Sequence, residues 1–116
     1  MKRGEVYLCR LGQRDDSGQE IFAQVVVLTR DAINRHAPVV LVAPVVDLTQ
    51  VPHAYPSDVL VRAPEGGLTA DGRLLTMQVR AVLRDRLNHL LGTLSDGLMA
   101  EVNRALRITL DLEEND

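Results

Sequence analysis

The chain has 116 residues, 46% hydrophobic and 25% charged, the composition of a soluble globular protein with room for one core and not for two. Its formal charge of -3 excludes general stickiness for nucleic acid, but Asp111, Glu113, Glu114 and Asp116 close the chain, so residues 1–110 carry 13 basic and 12 acidic groups and the body is nearly neutral. A single cysteine excludes an internal disulfide or a cysteine metal centre, and with 3% aromatics and no Trp the core must be built from Val, Leu, Ile and Ala.

In chain order, EVYLCRL (5–11) alternates as a strand does, with Cys9 in the pattern of a core thiol. GQRDDSGQ (12–19) has the composition of a flexible loop. IFAQVVVLT (21–29) and PVVLVAPVV (38–46) are β-branched runs joined by the polar connector RDAINRHA. The second run, with two prolines and half the ~20 residues of a membrane helix, reads as a buried strand. YPSDVLVRA (55–63) and RLLTMQVR (73–80) predict two shorter strands, and PEGGLTADG between them predicts a hairpin loop.

Two helices are expected to close the chain. RDRLNHLL (84–91) predicts the first, stopped at Gly92, with His89 near its C-terminus satisfying the dipole. Ser95 predicts a cap for a second helix over 96–110, whose Leu98, Val102, Ala105, Leu106 and Thr109 share a face that lies on the sheet. The expected architecture is α+β, a single domain over 1–110 with an acidic tail over 111–116. The charged start MKRGEVYLCRLGQRDD lacks the pattern of a secretory signal, which predicts a cytoplasmic protein with no membrane contact.

Little chemistry is legible from spacing. His36, His53 and His89 have no ligand spacing. Gly66-Gly67 lacks the Lys and helix start of a phosphate loop, and Ser17 and Ser95 have no nucleophile elbow around them. Gln78, Arg80, Arg84 and Arg86 form a polar cluster that suits either a solvated rim or a nucleic-acid contact.

KRGEVYL, RDAINRHAPVVLVAP, YPSDVLV, MQVRAVLRDRL and LGTLSDGLMAEVNRALRITLDL, in this order and at near-gapless spacing over about 110 residues, resemble the MazF/PemK family of toxin proteins. The resemblance implies a small SH3-like β-barrel or antiparallel sheet of about five strands with a C-terminal helix, forming a homodimer. It also implies partners: single-stranded RNA and a MazE-like antitoxin sharing one groove, and a possible heterodimer with an active relative. The gyrase poison CcdB shares that fold but uses a Trp-containing end, and this chain has no Trp.

Cleavage in the family needs no metal or other cofactor. The ribose 2′-hydroxyl attacks the adjacent phosphorus, which requires a base, an acid and a cation or donors for the phosphorane charge. The family's Arg-Pro pair opening the second strand falls here on Ala23-Gln24, and its Thr or Ser after the third strand falls on Val46. An alternative family arrangement, Arg-x-Asp with a loop His, falls on Leu75, Met77 and Ser17. The resemblance therefore implies an RNA- or antitoxin-binding toxin-family protein whose endoribonuclease activity is lost or strongly reduced. Its groove residues would be Gln19, Ala23, Gln24, Val46, Asp47, Gln78 and Arg80. The alternative is an active sequence-specific endoribonuclease with relocated groups, for which Arg14, Ser17, Asp47 and Thr49 are the candidates.

Overall fold

The valine run of the second strand is buried on both sides, and the architecture grows from that. A computed structural model describes residues 1–113; the acidic end expected over 111–116 is thus covered only to Glu113, with 114–116 outside the described residues. Strand β1 (Glu5–Arg14) pairs antiparallel with β2 (Glu20–Val27), and β2 with β3 (Val39–Asp47). Val25 and Val27 face one hydrophobic cluster and Val26 the other, so this strand carries no polar face in its second half. Full burial of each such valine contributes roughly 1.5–3 kcal/mol.

The far edge of β3 is divided. Its end pairs with β5 (Gly72–Leu75), which pairs with β4 (Asp58–Val61), while its start pairs with β6 (Arg80–Leu83). Strand β7 (Leu87–Thr93) adds to the free edge of β1 and completes a curled seven-stranded antiparallel sheet. Helix α2 (Asp96–Leu110) closes one face with Val102 and Ala105 buried, its start capped by Ser95, whose Oγ accepts from the Leu98 N–H at 3.2 Å. The expected small antiparallel barrel-like sheet with a C-terminal helix is borne out, with seven strands in place of about five.

Four expectations are corrected. The strand expected over 73–80 is two strands, because a 3-10 turn at Thr76–Gln78 passes the chain from one half of β3 to the other. The helix expected over 84–91 is a short 3-10 turn followed by β7. Leu87, Leu90 and Leu91 have helical spacing, but β1 offers an unpaired edge, and two irregularities in the β1–β7 register accommodate the leucines. His89 is consequently an exposed strand residue beside Leu8, not a helix-terminal one. Gly92 is no helix stop; an added Cβ there would lie 2.6 Å from the Gly66 carbonyl carbon and 2.7 Å from the Gly67 nitrogen. The boundaries also move: β1 runs into the expected loop, and one helical turn, α1 (Asp31–Asn34), forms in the connector.

The motifs at the start of the chain and in that connector are structural. Arg3 Nε donates to the Leu28 carbonyl at 2.8 Å and its Nη2 to Asn103 Oδ1 of α2 at 2.6 Å, joining the end of β2 to the helix. Asn34, fully buried, donates from Nδ2 to the Thr29 carbonyl at 2.6 Å. The Arg3 backbone N–H donates to Asp31 Oδ1 at 2.7 Å, and this bond holds the Asp31 carboxyl below the usual carboxylate range.

Two stability predictions follow from this packing. Gly92→Ala should lower stability by about 1–3 kcal/mol, read as a lower urea midpoint at unchanged slope. Because the folded pKa of Asp31 is depressed, its contribution is complete above the unfolded-state value of about 3.9 and is lost as pH falls through the lower folded value. Urea midpoints of the native protein and Asp31→Asn should therefore differ near neutrality and converge as the pH falls below the usual carboxylate range.

Candidate nucleic-acid interface

Strand register brings Ala23 and Val46 together. Cys9 of β1 lies opposite Leu87 of β7 on one side and Ala23 of β2 on the other. Continuing the Gln24–Val45 pairing by one step sets Ala23 opposite Val46, and Val46 is paired with Arg73 of β5. A single row thus crosses five strands: Leu87, Cys9, Ala23, Val46, Arg73. Residues opposite one another in an antiparallel pair point to the same face. This is the face opposite the helix-covered core, since the intervening Val45 and Leu74 belong to that core.

The centre of the row is chemically bare. Ala23 is half-buried and packs against the cluster containing Cys9 and Val25, presenting only a methyl group. Val46 is half-buried and has no hydroxyl. Cys9 is fully buried; burial pushes its thiol pKa up, with the charges of Arg80 and Arg86 pulling the other way. Two guanidinium groups therefore lie close enough for their charge to be felt at the residue paired with Ala23.

The remaining candidates are distributed around this row. Asp47 ends β3 and caps the 3-10 turn Leu48–Gln50: its Oδ1 accepts from the Thr49 N–H at 2.9 Å and from Thr49 Oγ1 at 2.8 Å. Those bonds hold its carboxyl below the usual range and commit the Thr49 hydroxyl to it. Such a low-pKa carboxylate is a weak proton acceptor.

Arg14 and Ser17 sit at the β1–β2 hairpin tip. Arg14 Nη1 donates to the Gly18 carbonyl at 2.8 Å, and Ser17 Oγ pairs with Asp15 Oδ1. Gln19 lies in the same tip, where its N–H donates to Asp15 Oδ1 at 3.0 Å. Gln24 alternates away from Ala23, onto the face of Val26 and Val45.

Leu75 is buried at the end of β5, and Met77 and Gln78 project from the turn after it, Met77 being 70% exposed. They border a cavity of about 550 Å³ that is also lined by Val51, His53, Tyr55 and Ile108. Arg80 is exposed on β6, paired with Val42.

Arg73 was not among the residues singled out from the sequence. Only the pairing of β3 with β5 reveals it as the cation beside Val46, since in sequence it is one more arginine before two leucines. Its Nε donates to the Val51 carbonyl at 3.3 Å and its side chain is partly buried.

Residues 2–110 match the family described as PemK-like, MazF-like toxin of type II toxin-antitoxin system. An endoribonuclease MazF of Staphylococcus saprophyticus is 34% identical over 112 residues, covering 97% of this chain and 92% of that protein. One from Staphylococcus epidermidis is 33% identical over 116 residues, covering 100% and 96%. The fold is shared with a mycobacterial endoribonuclease solved in complex with its cognate antitoxin, at a TM-score of 0.81, 23% identity and 99% coverage of each chain. A MazE-MazF structure from Deinococcus radiodurans superposes at a TM-score of 0.76, with 21% identity and 97% coverage of each chain. The match spans the chain from its first β-strand motif through α2, and the protein belongs to the PemK-like, MazF-like toxins of type II toxin-antitoxin systems.

Proposed function

We propose that this chain is a cytoplasmic toxin-family protein that works by binding, as a homodimer, single-stranded RNA and a MazE-like antitoxin, with endoribonuclease activity strongly reduced. The observation that carries this reading is the row through Ala23 and Val46. Transesterification by the ribose 2′-hydroxyl needs proton transfer at two oxygens and charge neutralisation at phosphorus. Acid-base groups contribute typically about 10²–10⁴-fold each. The two adjacent positions where the family resemblance puts a cationic acid and a hydroxyl hold a methyl group and an isopropyl group. Asp47 and Thr49, the nearest polar pair, are hydrogen-bonded to each other.

The endoribonucleases among the relatives support RNA as the ligand class, and the mycobacterial and Deinococcus complexes support an antitoxin partner. A second reading, residual cleavage by relocated groups, draws on Arg80 and Arg86, whose charges reach the residue opposite Ala23. A heterodimer with an active relative would place this chain's silent row in a shared groove and halve the number of competent sites.

Restoring the missing groups tests the proposal. In EDTA, with a long single-stranded RNA, the native protein should leave the substrate intact, while the Ala23→Arg/Gln24→Pro/Val46→Thr variant should cut it to fragments with 5′-hydroxyl ends. Specific cuts by the native protein would refute the proposal and make Arg80 and Arg86 the residues to replace next.

A further inference from the structure

We propose that Arg73 is the phosphate anchor of the silent groove, holding the backbone of single-stranded RNA over Val46 with a neighbouring base in the cavity beyond Val51. This rests on the RNA-binding reading above and names the group that carries it.

Three observations converge on Arg73. The first is position. It is the next residue after Val46 in the row that contains Ala23, two strand spacings or about 10 Å from that alanine. It is paired directly with Val46, one strand spacing of about 5 Å away, so a phosphate above Val46 lies beside it.

The second is an unused fork. Nε is taken by the Val51 carbonyl at 3.3 Å, which fixes the plane of the group. Among the described residues, neither Nη atom has a hydrogen-bond or ion-pair partner. Both Nη atoms stay open to solvent, and a planar pair of N–H donors suits the two oxygens of a phosphate.

The third is the neighbouring cavity. Val51, whose carbonyl receives Arg73 Nε, also lines the cavity of about 550 Å³, with Tyr55, His53 and Met77 as flat or apolar surfaces and the Gln78 amide as a polar group. Tyr55 is 66% exposed and available for stacking. A basic group tracking the backbone beside an aromatic seat for a base is how sequence-tolerant single-strand binders are built. An acidic peptide would use the fork but leave the aromatic seat empty, so the pairing of the two favours RNA.

The decisive comparison is between variants that differ in charge. Arg73→Gln retains an N–H for the Val51 carbonyl and removes the cation, while Arg73→Lys keeps the cation and loses the fork. Binding of a fluorescein-labelled, mixed-sequence single-stranded RNA is followed by anisotropy across a salt series. Arg73→Gln should bind about tenfold more weakly and lower the slope of log K against log salt by about 0.7, whereas Arg73→Lys should retain the native slope. Native binding left unchanged in affinity and slope by Arg73→Gln overturns this inference alone, and loss of binding to an oligoglutamate peptide in that variant would reassign the fork to carboxylates. Absence of RNA binding by the native protein would overturn the RNA-binding reading as well.

Discussion

Strand β3 gives one edge to β2 and divides the other between β6 at its start and β5 at its end. One strand cannot lie flat against two partners that leave in different directions, so the sheet curls twice and encloses a core on each side. Val45 and Leu74 go to the core under α2, and Val42 and Val82 to the core on the opposite face. The 3-10 turn Thr76–Gln78 makes the division possible by passing the chain between the two halves of β3; Thr76 is held there, its hydroxyl near the Ser57 carbonyl and Thr109 Oγ1. The same division puts Arg73 beside Val46. Without it, that arginine would belong to a single strand with Gln78 and Arg80, and the row through Ala23 would end at Val46.

The candidate site therefore combines a bare centre with charged flanks. Ala23 and Val46 offer nothing to a proton, and Asp47 is committed to Thr49. Cations remain at the ends: Arg73 beside Val46, and Arg80 and Arg86 near enough to act on the Cys9 thiol. Phosphate binding and phosphate chemistry have different requirements, because positive charge alone holds a backbone and cleavage also needs groups that move protons. On the proposed reading, this arrangement meets the first requirement and lacks the second. A body with balanced charge can still bind RNA in this way, since the relevant charge is local.

Much of the fold was legible in the sequence where one periodicity dominated. Residues 5–11 alternate, the run 38–46 is β-branched, and Ser95 with Leu98, Val102 and Ala105 marks α2 by cap and face. Legibility failed where local pattern and tertiary pairing disagreed. Leu87, Leu90 and Leu91 fit a helix face, and only the vacant edge of β1 makes them a strand. Gly92 looks like a helix stop, but its cause is the close approach of the Gly66-Gly67 backbone. Positions 23 and 46 were found by family resemblance, whereas their adjacency is a fact of register that no local signal carries. Arg73 was invisible for the same reason.

The most direct test of binding without cutting examines one sample for both. Protein is incubated with an equimolar long single-stranded RNA in EDTA, the protein-bound fraction is isolated, and the RNA recovered from it is sized on a denaturing gel. Full-length RNA in the bound fraction is the result expected of a groove with phosphate anchors and no proton-transfer groups. Bound or released fragments with 5′-hydroxyl ends would contradict it and show that the row through Ala23 and Val46 is not the whole of the chemistry.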